Sequence, residues 1–285
     1  MSVSELLRAH GLHPKKKLGQ NFLMNPHTAG VIAEAATTPE GGVVLEIGPG
    51  LGALTRPLVA RAARVVAIER DRDLVPLLQA ELAEPIAAGR LEIIEGDAAR
   101  VDWAAPLAAG PAPRVVAGNL PYSITGLLIE RVTHLSAHID RAVFMVQSEV
   151  ADRLAAPAGS PAYGALSVFV QAAFDVRRLL TVRAGSFYPR PEVESAVVVL
   201  TPRRPARVEE TEAFRAAVKA AFATRRKTLR NAWRGLYGWS KEELEQRAAE
   251  AEISLDARGE TLSVDDFARI AAKAPPAAGT DPKSG

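Results

Sequence analysis

The chain has 285 residues, 48% apolar and 24% charged, with a formal net charge of +2 and no cysteine. That composition suits one sizeable globular domain plus a smaller one, and the absence of thiols excludes disulfides, thiolate zinc sites and a cysteine nucleophile. No apolar run is long enough to span a membrane, and MSVSELLRAHGLHPKKK carries its charge after a short amphipathic piece, the reverse of a signal peptide. A cytoplasmic protein with no membrane partner is expected.

Short runs rich in Val and Ile alternate with helical patterns. The first strand is expected at Val43–Ile47, followed by a helix over Thr55–Arg61, a strand at Val65–Ile68 and a helix over Leu74–Ala83. Further strands are expected at Leu91–Glu95, Val115–Ala117, Ala142–Val146 and Ala196–Leu200. Continuous apolar strands are buried on both faces, so the alternation implies an α/β fold with a mostly parallel sheet wound on both sides. Residues 176–200 hold several β-type segments without a long helix, which suggests an antiparallel edge hairpin. The Pro- and Arg-rich TPRRPAR reads as a linker. Helices are then expected over Thr211–Trp233, Lys241–Glu252 and Val264–Lys273, before a tail of disordered composition.

The modest net charge hides an asymmetry. Residues 1–200 carry 19 Lys/Arg against 20 Asp/Glu, whereas residues 201–273 carry 15 against 12. Between Thr211 and Arg234 seven basic residues face one acidic residue, Glu212. On one continuous helix Arg215, Lys219, Arg226, Arg230 and Arg234 form a stripe beside the apolar positions 214, 218, 222, 229 and 233, whereas a break near Thr224 would split the stripe and leave Arg225, Arg226, Lys227 and Arg230 clustered. Either arrangement points to an anionic partner, with a solvated helix face as the competing reading.

VVLEIGPGLGALT is a strand, a glycine-rich turn and a helix start. Gly48 and Gly50 allow a tight turn and close approach to a ligand, but Gly48, Gly50 and Ala53 equally satisfy a dinucleotide fingerprint. The next strand ends in Glu69, a candidate acceptor for ribose hydroxyls, or else a cap for the following helix. Two features favour S-adenosylmethionine. Glu46 precedes the glycines, where a carboxylate suits a sulfonium and would repel a pyrophosphate. Asp97 stands at the end of the third strand, placed to accept from an adenine amine or simply to cap a helix.

The fourth strand runs into Asn119-Leu120-Pro121-Tyr122. An adenine exocyclic amine is a poor nucleophile because its lone pair is delocalised. Acceptors placed where its hydrogens point as nitrogen becomes tetrahedral lower that barrier. The Asn119 side-chain oxygen and the Leu120 or Pro121 carbonyl can serve, with Tyr122 offering a flat face to an unstacked base.

On KKKLGQNFL, EIGPGLGALT, IERD, EGDA, GNLPYSI, QSEVADRL, SPAYGALSV, SFYPRPEVESAVV and FATRRKTLRNAW, the chain resembles the KsgA/RsmA (Dim1) family of small-subunit rRNA adenine dimethyltransferases. The resemblance implies a class I methyltransferase, Rossmann-like with a seven-stranded sheet, and a small α-helical C-terminal domain. It implies an N-terminal arm and cofactor lid over 1–26, a methyltransferase domain over 27–202, helices over 203–273 and a disordered tail over 274–285. The implied reaction dimethylates two adjacent adenosines near the 3′ end of 16S rRNA at N6, within an immature 30S particle; nothing in the sequence points to more than a monomer, and no metal site is expected. Cofactor contacts are implied at Asn21, Leu23, Gly48, Glu69, Asp97 and Asn119, a base-facing aromatic at Phe187 opposite Tyr122, and RNA contacts at Arg225, Arg226, Lys227 and Arg230. Phe187 alternatively reads as an edge-strand core residue. Ser148, where many relatives carry Lys, and Arg190, within a loop often richer in proline, depart from the family pattern. The rival readings are an Erm-type large-subunit enzyme, a non-catalytic assembly factor on the same fold, and an NAD-dependent oxidoreductase.

Overall fold

The computed structural model describes residues 2–39, 41–224 and 226–276. Seven strands form one sheet: β1 (Val43–Ile47), β2 (Arg64–Glu69), β3 (Leu91–Glu95), β4 (Arg114–Asn119), β5 (Arg141–Gln147), β6 (Phe174–Val182) and β7 (Ser195–Pro202). Their order is β3-β2-β1-β4-β5-β7-β6. The first five are parallel, and β7 runs antiparallel between β5 and β6. The expected edge hairpin is therefore β6 and β7, with β6 outermost.

Period-two alternation sorts each central strand into two cores. In β1, Val43, Leu45 and Ile47 pack on one face and Val44 on the other. All five β1 residues are buried, including Glu46. The carboxyl ends of β1, β2 and β4 lie side by side, the crevice where open α/β sheets bind ligands. No described helix is long and apolar enough to cross a membrane.

The C-terminal helices build a third core around Phe214, Trp233 and Phe267. It also takes Tyr163, Val168 and Phe169 from the preceding segment, so the linker does not separate two hydrophobic interiors. The linker arginines are tied down: Arg203 to Asp175, Arg204 to the Ile139 carbonyl, and Arg207 to Asp265.

The single helix expected over Thr211–Trp233 is two. Glu212–Ala223 ends at Thr224, whose φ of −137° and ψ of 85° leave the helical region, and a short helix resumes over Leu229–Ala232. The basic stripe falls apart accordingly. Arg215 turns inward, 18% exposed, pairing with Glu130 and Glu210 and lying over the Phe169 ring. Arg230 pairs with Glu245 and Asp256. Arg226 and Lys227 stay exposed, and Arg225 lies outside the described residues.

Gly118, next to Asn119, has no room for a side chain, because a Cβ there would stand 2.5 Å from the Ile47 carbonyl oxygen. Gly118→Ala is expected to cost about 1–3 kcal/mol, as overpacked cores do. Chemical denaturation with an unchanged m-value checks this.

Candidate active site

The turn after β1 is shaped by backbone that only glycine adopts freely. Gly50 has a φ of 59°, and a Cβ there would come within 3.1 Å of the Phe22 ring. The Gly50 N–H donates to Glu69 Oε2 at 3.0 Å, and the Asp71 N–H donates to Glu69 Oε1 at 2.7 Å. Burial pushes the Glu69 carboxyl above its ordinary range, and these backbone donors hold it partly down. The helix-cap reading of Glu69 is thus replaced by a link between two strand ends. Two carboxylate oxygens can accept more than these bonds, and the residue lines the cleft.

Glu46 is 1% exposed and also lines the cleft. Among the described residues its Oε2 has no hydrogen-bond donor, and the neighbouring Thr55 hydroxyl reaches no bond of normal geometry. Burial raises its pKa to about 8; the nearby Thr55 hydroxyl pulls part of the way back, and the Glu69 charge adds a smaller push upward. A buried carboxylate oxygen without a donor is costly unless a cation or donor arrives.

At the end of β4 the Asn119 amide donates from Nδ2 to the Asn21 carbonyl at 2.8 Å. No hydrogen bond reaches its Oδ1 among the described residues, so that oxygen is available to a ligand amine. The two carbonyls that could serve as second acceptor differ in their occupancy. Pro121 O already accepts from Thr125 Oγ1 at 2.9 Å and from the Ile124 N–H at 3.2 Å, occupying both lone pairs. Leu120 O takes no hydrogen bond from the described residues. The Tyr122 hydroxyl bonds the buried Ser195 Oγ at 2.7 Å, fixing the ring at the cleft mouth.

Phe187 is displaced from the expected position. It is 2% exposed, pairs with Leu23 in a two-residue antiparallel ribbon, and belongs to the core cluster of Ile32 and Val143. It does not line the cleft, and the edge-core reading describes where it sits. Ser148 accepts a hydrogen bond from Arg178.

The lid carries interactions that sequence reasoning missed. Lys15 Nζ pairs with Asp71 and with Asp73, and Gln20 Nε2 donates to Asp71 Oδ2 at 2.7 Å. A signal was present, since Lys15 and Gln20 belong to KKKLGQNFL and Asp71 to IERD, but neither motif says that the two meet. Asn21, Leu23, Gly48, Asp97 and Leu120 all line the same cleft. Asp97 pairs loosely with Arg70 at 3.6 Å while accepting the Ala99 N–H. Arg226, Lys227 and Arg230 lie elsewhere.

Burial pushes the Asp71 carboxyl up, but the Lys15 and Gln20 hydrogen bonds outweigh it and hold it below its ordinary value. Asp71 and then Asp73 hold the Lys15 ammonium above its own. The tether is lost as pH falls through the lowered carboxyl pKa and as pH rises through the raised ammonium pKa, and is at full strength between them. Lys15→Met is expected to loosen residues 15–23 by roughly 1–3 kcal/mol, since it strips a partner from a buried acid. Amide exchange of the lid reads this directly, and the difference in protection between wild type and Lys15→Met is expected to be pH-independent from about pH 6 to 9.

A family model described as Ribosomal RNA adenine dimethylase matches residues 11–274. The chain is 44% identical over 278 residues to the Ribosomal RNA small subunit methyltransferase A of Anaeromyxobacter sp. (strain K), covering 94% of this chain and 96% of that protein. It is 43% identical over 269 residues to the protein of that name from Geobacter metallireducens, covering 93% and 96%. Among solved structures, a dimethyladenosine transferase from Plasmodium falciparum superposes with a TM-score of 0.71 at 25% identity, over 87% of this chain and 95% of that one. The 23S rRNA methyltransferase ErmE shares the fold, with a TM-score of 0.65 at 24% identity over 89% and 99%. A match that runs through the lid, the cleft and the C-terminal helices alike, at this identity, makes the chain a member of the ribosomal RNA adenine dimethylase family.

Proposed function

We propose that this protein uses S-adenosylmethionine to dimethylate N6 of two adjacent adenosines near the 3′ end of small-subunit rRNA, acting as a cytoplasmic monomer on an immature 30S particle. The observation that carries the reading is one cleft lined by both a buried carboxyl group, Glu46, whose Oε2 has no partner among the described residues, and an amide oxygen, Asn119 Oδ1, that accepts no hydrogen bond from them. The first suits a cation and the second an amine. Relatives at 42–44% identity named for the small subunit favour that target over the large one.

S-adenosylmethionine, when bound, supplies a methyl group on a positively charged sulfur. Glu46 faces that positive charge, Glu69 accepts ribose hydroxyls with its remaining lone pairs, and Asp97 accepts from the adenine amine. Asn21, Leu23, Gly48 and Gly50 close around the ligand and exclude water. Asn119 Oδ1 and the Leu120 carbonyl accept the target amine's hydrogens as its nitrogen becomes tetrahedral. Pro121 stiffens the turn and Tyr122 supports the base. The sheet with its lid thus does the chemistry, while the C-terminal helices, with Arg226 and Lys227 exposed, meet the RNA.

Incubating the enzyme with radiolabelled S-adenosylmethionine and unmodified small subunits is expected to label two adjacent adenosines near the rRNA 3′ end. In a parallel incubation with unmodified large subunits, label there and none on the small subunits would establish the Erm-type reading instead, and no label on either would establish a non-catalytic one. Asn119→Ala is expected to lower turnover by about a hundredfold or more while subunit binding persists.

Because burial holds Glu46 protonated up to about pH 8, its contribution to folding stability is present below the ordinary carboxylate range and is lost as pH rises through 8. A cationic ligand reverses that preference. Cofactor binding at pH 7 is therefore expected to release close to one proton, with affinity rising until about pH 8. Calorimetry in buffers of different ionisation enthalpy measures the proton count, and Glu46→Gln is expected to bind weakly and release none.

A further inference from the structure

The C-terminal helices enclose a second cavity of about 260 Å³, away from the cleft. That is just below the ~300 Å³ at which small-molecule pockets begin, a size for one flat group and not for a large cofactor. Its floor is Leu244, buried at 4% exposure. Arg234 and Lys241 line its rim, both exposed and neither engaged in an ion pair or hydrogen bond among the described residues. Arg230 and Glu245, also on the rim, neutralise each other at 2.6 Å. The rim therefore carries two uncompensated positive charges.

The wall supplies a directional donor for a ligand. Trp239 is 9% exposed and lines the cavity; its Nε1–H has no acceptor among the described residues and reaches solvent, open to a ligand. The other two tryptophans are satisfied internally, Trp103 by the Ala98 carbonyl at 3.0 Å and Trp233 by the Ala217 carbonyl at 2.9 Å. An accessible indole donor beside unpaired cations and an apolar floor matches a nucleotide: phosphate for the cations, a base for the floor, and a base acceptor atom for the indole.

We propose that this notch binds a single unstacked nucleotide of the ribosomal RNA, with Arg234 and Lys241 on its phosphate and the Trp239 N–H donating to its base. The proposal rests on the rRNA reading of the function and adds to it a second RNA subsite, remote from the reacting adenine.

Indole Nε1–H resonances of the full chain report on the notch, with Trp239→Phe assigning the relevant signal. Titration with a single-stranded oligoribonucleotide copying the rRNA 3′ region is expected to shift the Trp239 resonance and leave those of Trp103 and Trp233 in place. Inorganic phosphate alone is expected not to shift it; an equal shift would make the notch a simple anion site and overturn the proposal. Adenosine 5′-monophosphate is the arm for a free nucleotide, and tighter binding by it than by the oligonucleotide would overturn the RNA assignment.

The double variant Arg234→Ala, Lys241→Ala is expected to bind small subunits about tenfold more weakly. Its log–log salt slope should be smaller by roughly 0.7 for each phosphate no longer neutralised, with melting temperature and S-adenosylmethionine affinity unchanged. Wild-type affinity and slope in that variant would sink the proposal. Failure of the unmutated protein to methylate small subunits would count against the functional reading, and the indole titration would still decide the notch separately.

Discussion

The carboxylate of Glu69 accepts the Gly50 N–H with one oxygen and the Asp71 N–H with the other, and each of those residues then anchors one part of the lid. Gly50 presents a bare Cα on which the Phe22 ring rests. Asp71, placed by its own N–H, collects Lys15 and Gln20. Turn geometry and lid position thus follow from a single side chain at the tip of β2. Residues far apart in sequence are brought to one cleft with few degrees of freedom left.

The interior of the sheet was legible because β1, β2, β4, β5 and β7 are buried along most of their length and carry runs rich in Val and Ile. β1 and β3 start and stop where the pattern does. The glycine turn and the Asn119–Tyr122 loop were legible because each needs unusual residue types at fixed spacing. Polar contacts made across long sequence distances were not. Nothing local in Lys15 or Gln20 says that Asp71 lies opposite, and nothing in Tyr122 says that Ser195 holds its hydroxyl. Phe187 shows a different limit, since an aromatic next to a cleft and an aromatic beneath it have the same sequence pattern.

Charge counting misled for a related reason. The basic excess after residue 210 looked like a single surface, but guanidinium groups pair well and stack on rings even when partly buried. Arg215 spends its charge on Glu130, Glu210 and the Phe169 face, and Arg230 on Glu245 and Asp256. What remains for a partner is the smaller set of cations that the fold leaves unpaired. The break at Thr224 adds to this by turning Arg226 and Lys227 onto a loop pinned by the Leu229 and Arg230 amides to the carbonyls of Ala257 and Leu255.

The helix Thr125–His134 is fixed at both ends. Its first residue holds the Pro121 carbonyl of the catalytic turn, and Glu130, one turn from its end, grips Arg215 of the C-terminal helices. Ten residues of α-helix form a rod about 15 Å long, too stiff to bend appreciably over that span. A rod clamped in this way behaves as a strut. The seam with the C-terminal helices and the acceptor geometry beneath the target base therefore share one mechanical coordinate, and the seam is as much a part of the catalytic scaffold as the turn itself.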